Sequence, residues 1–433
     1  MSAAPDQSRR TMEPFNQRAP AELPVTGGDG TPAARAAVIT RWLAAEAPHE
    51  ADVNAMVDGF AARLLEAGLP LARMTMHIQV LNPQVSRAMR EWWRGRGTTH
   101  YTRPHGIERT ADYVGSPVQY VTERRAWLIR RLDAATDAEF PLLAGLRRQG
   151  LTHYVMAPIR FSDGTVNAAS WASDAPQGFS DADVALLRAI TPTLSLLMEM
   201  RAVRRMAAEL MATYLGPETA ARVLAGEIQR GHTQTMRAAI LLADLESSTR
   251  YAAAHSADAV VARLNRYFDC VAPPVEGRGG EVLKFVGDGM MAIFRDEPGD
   301  DGDCRACCRA LEAAQAALAA IDAANETAEP PHEPPLAARV ALHHGTVAYG
   351  NVGAPDRLDF TVVGHDVNLA YRIERQAAAL GLPLVMSAAF AANLRGATVS
   401  LGRFALRSVD EAEELFAPDE AAMPAARFRH AAG

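Results

Sequence analysis

No apolar stretch in this 433-residue chain approaches the roughly 18 residues that a membrane-crossing helix requires. The Arg9-Arg10 pair is not followed by the apolar run of a secretory leader. Neither membrane insertion nor Sec-type export is therefore expected, and the cytoplasm is the expected location. An excess of basic residues is also lacking: 44 Lys and Arg stand against 51 Asp and Glu, a net charge of −7. A broad polyanion-binding surface, and with it a nucleic-acid partner, is not implied. Cysteine is scarce, with four in all. Cys304, Cys307 and Cys308 fall within five residues of an Ala-rich helical stretch. No second Cys/His pair at ligand spacing accompanies them, so they read as small residues packing a helix against a sheet, and Cys270 reads as core. The acidic run from Asp296 to Asp303 lacks the spacing of a calcium loop and reads as a solvated loop.

What the chain does have is two aspartates that each follow an apolar, strand-like run. Asp244 closes AAILLADLESST, and Asp288 sits in VLKFVGDGMMAIF, within what reads as a tight hairpin. Each has a plain structural reading, as a hairpin residue or a strand end, and Ser247, Ser248 and Thr249 are ordinary helix N-cap residues. Together, two carboxylates at strand ends on one sheet can hold a pair of magnesium ions against a triphosphate. A third segment runs from Ala338 to Gln376. It predicts a strand over Val340 to His344, a Gly-rich turn, a β-branched and aromatic run from Phe360 to Val363, and a helix with Asp366 as N-cap. On that helix Asn368 and Arg372 are four apart and share a face. An amide and a guanidinium so placed can stabilise charge building on phosphorus.

Taken in order, DLESST, KFVGDG, DFTVVG and GHDVNLAYR resemble the motifs of class III nucleotidyl cyclase catalytic domains, over about Met236 to Pro418. The resemblance implies a ferredoxin-like, palm-type fold that converts ATP to 3′,5′-cyclic AMP and pyrophosphate. Asp244 and Asp288, with the Leu245 carbonyl, would bind two divalent ions, Mg²⁺ or Mn²⁺. Asn368 would orient the ribose and Arg372 would neutralise the α-phosphate. Lys284 occupies the place of the family's adenine-reading lysine, where guanylate cyclases resemble the pattern with Glu. A lysine donates to adenine N1 but would face the N1–H donor of guanine. Thr361 stands where many adenylate cyclases have Asp, and its hydroxyl can accept from the adenine amino group. The chain departs from the family in carrying Ser247-Ser248 where Gly-Phe is usual, which implies a stiffer, more polar loop. Near Arg407 no triphosphate-binding lysine can be placed. Because the resemblance puts the metal aspartates on one catalytic domain and Lys284, Thr361, Asn368 and Arg372 on the other, it implies a homodimer with two equivalent sites. Competing readings are a guanylate cyclase and a catalytically silent module that uses the fold to dimerise. Gly279-Gly280-Glu281 lacks the full signature of a diguanylate cyclase.

Elsewhere the chain is expected to be α/β and α+β. Residues 1–35 read as a disordered tail and 419–433 as a flexible one. Residues 36–200 resemble a GAF-like sensory domain in layout, with strands at Met74 to Asn82 and Tyr154 to Phe161 and a capped terminal helix from Phe179. Its ligand, a small molecule or a protein, is not legible. Trp92, Trp93, Trp127 and Trp171 read as core, and the segment around His100, Tyr101 and His105 reads as a loop. Residues 196–231 form a connector, in which Leu196, Met200, Val203, Ala207, Leu210 and Tyr214 follow four-three spacing. A parallel helix pair there would let the sensor change how the two catalytic halves meet.

Overall fold

The computed structural model describes residues 31–80, 85–110, 112–134, 136–297, 305–327, 334–394, 396–407, 409 and 411–419. The chain divides into two compact units, Met1–Glu209 and Leu210–Gly433. The mixed α/β class expected is the class observed.

The first unit contains α1 (Pro32–Ala45), α2 (Val53–Glu66), β1 (Arg73–Gln79), β2 (Val85–Trp93), β3 (Gly97–Pro104), α3 (Pro117–Arg124), β4 (Leu128–Arg131), α4 (Pro141–Arg148), β5 (His153–Arg160) and β6 (Val166–Ser173). The helix α5 (Asp181–Leu215) begins in this unit. Its strands form an antiparallel sheet in the order β3-β2-β1-β6-β5-β4. A GAF-like layout is compatible with this arrangement. One sheet face packs Met74, Met76, Trp92 and Trp171 against Trp42, Phe60 and Leu64 of α1 and α2 and Leu187, Ile190 and Leu194 of α5. Trp92 and Trp171 are core, as expected, and Trp127 stacks on Trp171 at 6.5 Å.

Two expectations for the first unit are corrected. Helix α1 begins inside the segment expected to be a disordered tail, because Thr31 caps Ala34 and Pro32 occupies the first helical position. Residues 1–30 lie outside the described residues, as do 420–433 of the other expected tail. The stretch holding His100 and Tyr101 is strand β3, not a loop, because it pairs along the whole of β2 and Thr98 donates to Asp58 at 2.7 Å.

Helix α5 starts at a reciprocal cap: Ser180 donates to Asp183 Oδ2 at 2.8 Å and the Asp183 amide donates to Ser180 Oγ at 3.2 Å. It then runs 35 residues without interruption and carries all six positions of the expected seam. Met200 packs on the first unit's core, whereas Leu196 is 68% and Tyr214 79% exposed.

The second unit continues with α6 (Pro217–Leu224), β7 (Thr233–Leu245), α7 (Ser248–Ala254), α8 (Ala257–Glu276), β8 (Glu281–Val286), β9 (Gly289–Arg295), α9 (Arg305–Thr327), β10 (Ala338–Ala354), β11 (Arg357–Val363), α10 (His365–Leu380), β12 (Leu384–Ser387), α11 (Ala388–Ala391), β13 (Thr398–Phe404) and β14 (Glu413–Pro418). The sheet order is β13-β14-β12-β10-β7-β9-β8, with β11 paired to β10; only β10 and β12 are parallel. Both faces are covered, which explains the unbroken apolar run of β7. Ala239, Leu241 and Ala243 face α8 and α9, while Ala238, Ile240 and Leu242 face α10. Cys307 is buried among the alanines of α9 and Cys270 in the same core, as expected, whereas Cys304 lies outside the described residues.

The Gly-rich turn expected after His344 is not a turn. Strand β10 continues through Gly345, Gly350 and Gly353 to Ala354. Gly350, at φ +157°, lets the His232 carbonyl approach where a Cβ would collide with it. Helix α6 is tied to this sheet through Glu281, which accepts from Thr219 at 3.1 Å, Tyr349 at 2.8 Å and Arg295 at 2.7 Å.

Candidate active site

Strand β7 delivers Asp244 at its penultimate position, opposite Gly289 of β9. A two-residue loop, Gly287-Asp288, joins β8 to β9, and Gly287 supplies the positive φ (+63°) that such a loop needs. The Leu245 amide donates to the Asp288 carbonyl at 3.3 Å, so the loop is fastened to the end of β7. The two carboxylates are thereby gathered at one edge of the sheet. The Asp244 carboxyl is pushed up from 3.8 to about 6, first by burial and then by the charges of Asp288 and Glu374, against the pull of Arg339. Arg339 is the residue opposite Asp244 on β10.

This electrostatic state fits a divalent cation. A half-buried Asp244 carboxyl whose ionisation is opposed by burial and by the charge of Asp288 is relieved when a cation sits between the two groups. No cluster of three or more His, Cys, Asp or Glu able to hold a metal occurs among the described residues. Asp244, Asp288 and a main-chain carbonyl such as that of Leu245 would therefore leave coordination positions for nucleotide oxygens and water, the pattern that Mg²⁺ accepts.

The raised Asp244 pKa makes a testable statement about stability. A carboxyl whose folded pKa exceeds its unfolded value favours the fold while protonated, and that contribution is lost as pH rises from 3.8 to about 6. In metal-free protein at pH 8, Asp244→Asn should raise stability by about 1 kcal/mol, since solvent screens a group this exposed. The gain should vanish near pH 4, and equilibrium denaturation of both proteins across that range measures it.

Four residues that the sequence did not single out for the site lie beside these aspartates. Ser248 Oγ donates a short hydrogen bond to Asp288 Oδ2. Glu374, on α10, has its own pKa raised, chiefly by burial. Arg339 lies within 3.8 Å of Glu246. The Tyr267 hydroxyl is buried without a hydrogen-bond partner, and burial followed by the charges of Asp244 and Asp288 pushes its pKa up. In the sequence Ser248 reads as a helix N-cap residue and as part of a departure from the Gly-Phe pattern, neither of which points to Asp288.

Ser247 adopts φ +59°, the left-handed conformation, at the N-cap of α7, and its side chain makes no cap bond. This is where the family pattern carries Gly, which takes that conformation at no steric cost. Ser247→Gly should therefore stabilise the unit by about 0.5–1 kcal/mol, read as a shifted denaturation midpoint.

The remaining expected site residues fall on neighbouring elements. Lys284, on β8, lies 3.5 Å from Asp359 of β11. Thr361, two residues along, is buried, and its hydroxyl has no hydrogen-bond partner. Asn368 and Arg372 both lie on α10, Asn368 exposed and Arg372 half-buried. Among the described residues, no hydrogen bond or ion pair joins Lys284, Thr361, Asn368 or Arg372 to Asp244 or Asp288. Arg407 is exposed after β13.

Asp366 is not the N-cap of α10; Gly364 is. The Asp366 carboxylate instead accepts the Thr346 amide at 2.6 Å and sits beside His365 and His343. It reaches β10 because Gly345 has no Cβ, which would collide with it. The helix carrying Asn368 and Arg372 is thereby pinned to the central strand.

Comparison with known proteins places this unit. Residues 231–410 match the family described as adenylate and guanylate cyclase catalytic domain. An adenylate cyclase of Anabaena cylindrica is 31% identical over 196 residues, 45% of this chain and 37% of that protein. Adenylate cyclase 1 of Rhizobium meliloti is 29% identical over 155 residues, 36% and 23% of the two chains. An uncharacterized protein of Mycobacterium tuberculosis is 30% identical over 319 residues, 72% and 54% of the two. The chain thus spans from about a quarter to about half the length of these curated relatives. Residues 231–410 of this chain are a class III adenylate and guanylate cyclase catalytic domain.

Proposed function

We propose that the protein is an adenylate cyclase that converts ATP to 3′,5′-cyclic AMP and pyrophosphate in a homodimer regulated through its N-terminal unit. The observation that carries this reading is the pair of carboxylates, Asp244 and Asp288, gathered at one sheet edge with the Asp244 carboxyl pushed up to about 6. Two divalent ions, Mg²⁺ or Mn²⁺, held by Asp244, Asp288 and the Leu245 carbonyl would acidify the ribose 3′-hydroxyl and neutralise the departing pyrophosphate. The chain's own residues supply position and charge. Asn368 orients the ribose, and Arg372, with no ion-pair partner among the described residues, takes the charge developing on the α-phosphate. Lys284 donates to adenine N1. The Thr361 hydroxyl, buried and unpartnered, accepts from the adenine amino group.

Each site takes its aspartates from one protomer and Lys284, Thr361, Asn368 and Arg372 from the other, so a monomer is inactive. The exposed seam positions Leu196, Val203 and Tyr214 on α5 support a parallel helix pair joining the protomers. Residues 36–200 would serve as a GAF-like sensor, 196–231 as the dimerising connector and 236–418 as the catalytic domain.

A second reading has one observation in its favour. The Asp359 carboxylate beside Lys284 could accept the N1–H of guanine, which would make GTP the substrate. Incubation of purified protein with ATP or GTP and each metal, with the product identified by chromatography, separates the two. Cyclic AMP from ATP, with GTP at least about tenfold poorer, is the expected result. Preferential cyclic GMP formation would transfer the assignment to the second reading.

A further inference from the structure

The face of the N-terminal sheet that carries helices α1, α2 and α5 holds one residue out of keeping with its neighbours. On paired strands β1 and β2, Met74 stands opposite Trp92, Met76 opposite Arg90 and Ile78 opposite Ala88. Arg90 is the one charged residue in that row. The residue is 8% exposed, its Nε has no partner, and among the described residues it makes no hydrogen bond or ion pair. A buried guanidinium without an anion is costly, and burial followed by the nearby charge of Arg205 pushes the Arg90 pKa down to about 10. The acid that opposes this shift, Asp52, makes no ion pair with Arg90 among the described residues, and its Oδ1 caps α2 by accepting from the Ala55 amide at 2.9 Å.

Arg90 borders two cavities. One, of about 400 Å³, is walled by Met56, Met76, Ile78, Phe161, Met198 and Met206. The other, of about 490 Å³, is lined by Asp52, Arg201, Arg204 and Arg205. Arg201 is spent on the Ala47 and Glu50 carbonyls, both at 2.8 Å, and Arg205 pairs with Glu209 at 2.5 Å. Arg204 is exposed. Arg90 is therefore the buried cation of this group left without an acceptor.

We infer that this cavity is a binding site for a small amphipathic organic anion, whose head pairs with Arg90 and whose apolar body fills the methionine-lined interior. The size is that of ordinary small-molecule sites. A guanidinium fork matches a carboxylate or phosphate head, and methionines adapt to an irregular apolar body. Helix α5 supplies Met198, Val203 and Met206 to the wall before continuing to Leu215, so an occupant bears on the helix that leads out of this unit. The inference concerns residues of the N-terminal unit alone and stands or falls separately from the catalytic reading.

Calorimetric titration of the full-length protein with sodium decanoate, and with decanol as its uncharged counterpart, tests it. One decanoate per chain should bind, at least about tenfold more tightly than decanol. Arg90→Met should weaken decanoate by at least about tenfold while leaving decanol within about twofold. Ala88→Phe, which narrows the cavity and keeps Arg90, should weaken both ligands. Absence of decanoate binding to the wild-type protein, or equal affinity for decanoate and decanol, would overturn the inference without recourse to any variant. Decanoate binding unchanged in Arg90→Met would overturn it equally.

Discussion

Replacing Asp288 by Ala should lower cyclic nucleotide formation by roughly a thousandfold or more. Asp288 lies in the Gly287-Asp288 loop, where its main chain is held by the Leu245 amide and by the pairing of β8 with β9. Its carboxylate contributes one hydrogen bond, from Ser248, to the fold. The substitution should therefore leave stability within about 1 kcal/mol of the parent. Steady-state turnover with ATP and metal, alongside a denaturation curve, separates the two effects. Asp288→Asn, which keeps the shape and removes the charge, should lose as much activity. More than a tenth of the parent activity in either variant would remove Asp288 from the chemistry.

The largest expected effect on stability is at Trp171. It sits fully buried at the middle of β6, opposite Met74 on one neighbouring strand and Val155 on the other, and it stacks on Trp127. Truncation to Ala removes the indole from the centre of the N-terminal core and leaves a cavity that rigid sheet neighbours cannot close. The expected cost is about 3–5 kcal/mol. Urea denaturation followed by circular dichroism measures it, and a loss under about 1 kcal/mol would mean that the core collapses onto the gap.

The placement of the candidate residues was legible where its signals are local. A two-residue turn between apolar alternations places Asp288, the end of an apolar, strand-like run places Asp244, and four-residue spacing puts Asn368 and Arg372 on one helix. What escaped the sequence depends on contacts between distant segments. Asp366 reads as an N-cap, yet it bonds Thr346 because Gly345, twenty-one residues earlier, leaves room for it. The glycines of β10 read as a turn, yet Gly350 serves a close approach by His232. Glu374 and Tyr267 join the aspartates only once α10 and α8 pack against the sheet. Nothing in the sequence marks Arg90, and only the pairing of β1 with β2 turns it onto the apolar face.

The central claim is that each site draws its metal-binding aspartates from one protomer and Arg372 from the other. Mixing Asp288→Ala protein with Arg372→Ala protein, each inactive alone, and allowing subunits to exchange tests this most directly. Random pairing makes half the dimers mixed, each with one intact site of two, so activity should recover to about a quarter of the parent value. Continued inactivity in a mixture proven to contain mixed dimers would contradict a shared site and place both residues in the same protomer's chemistry.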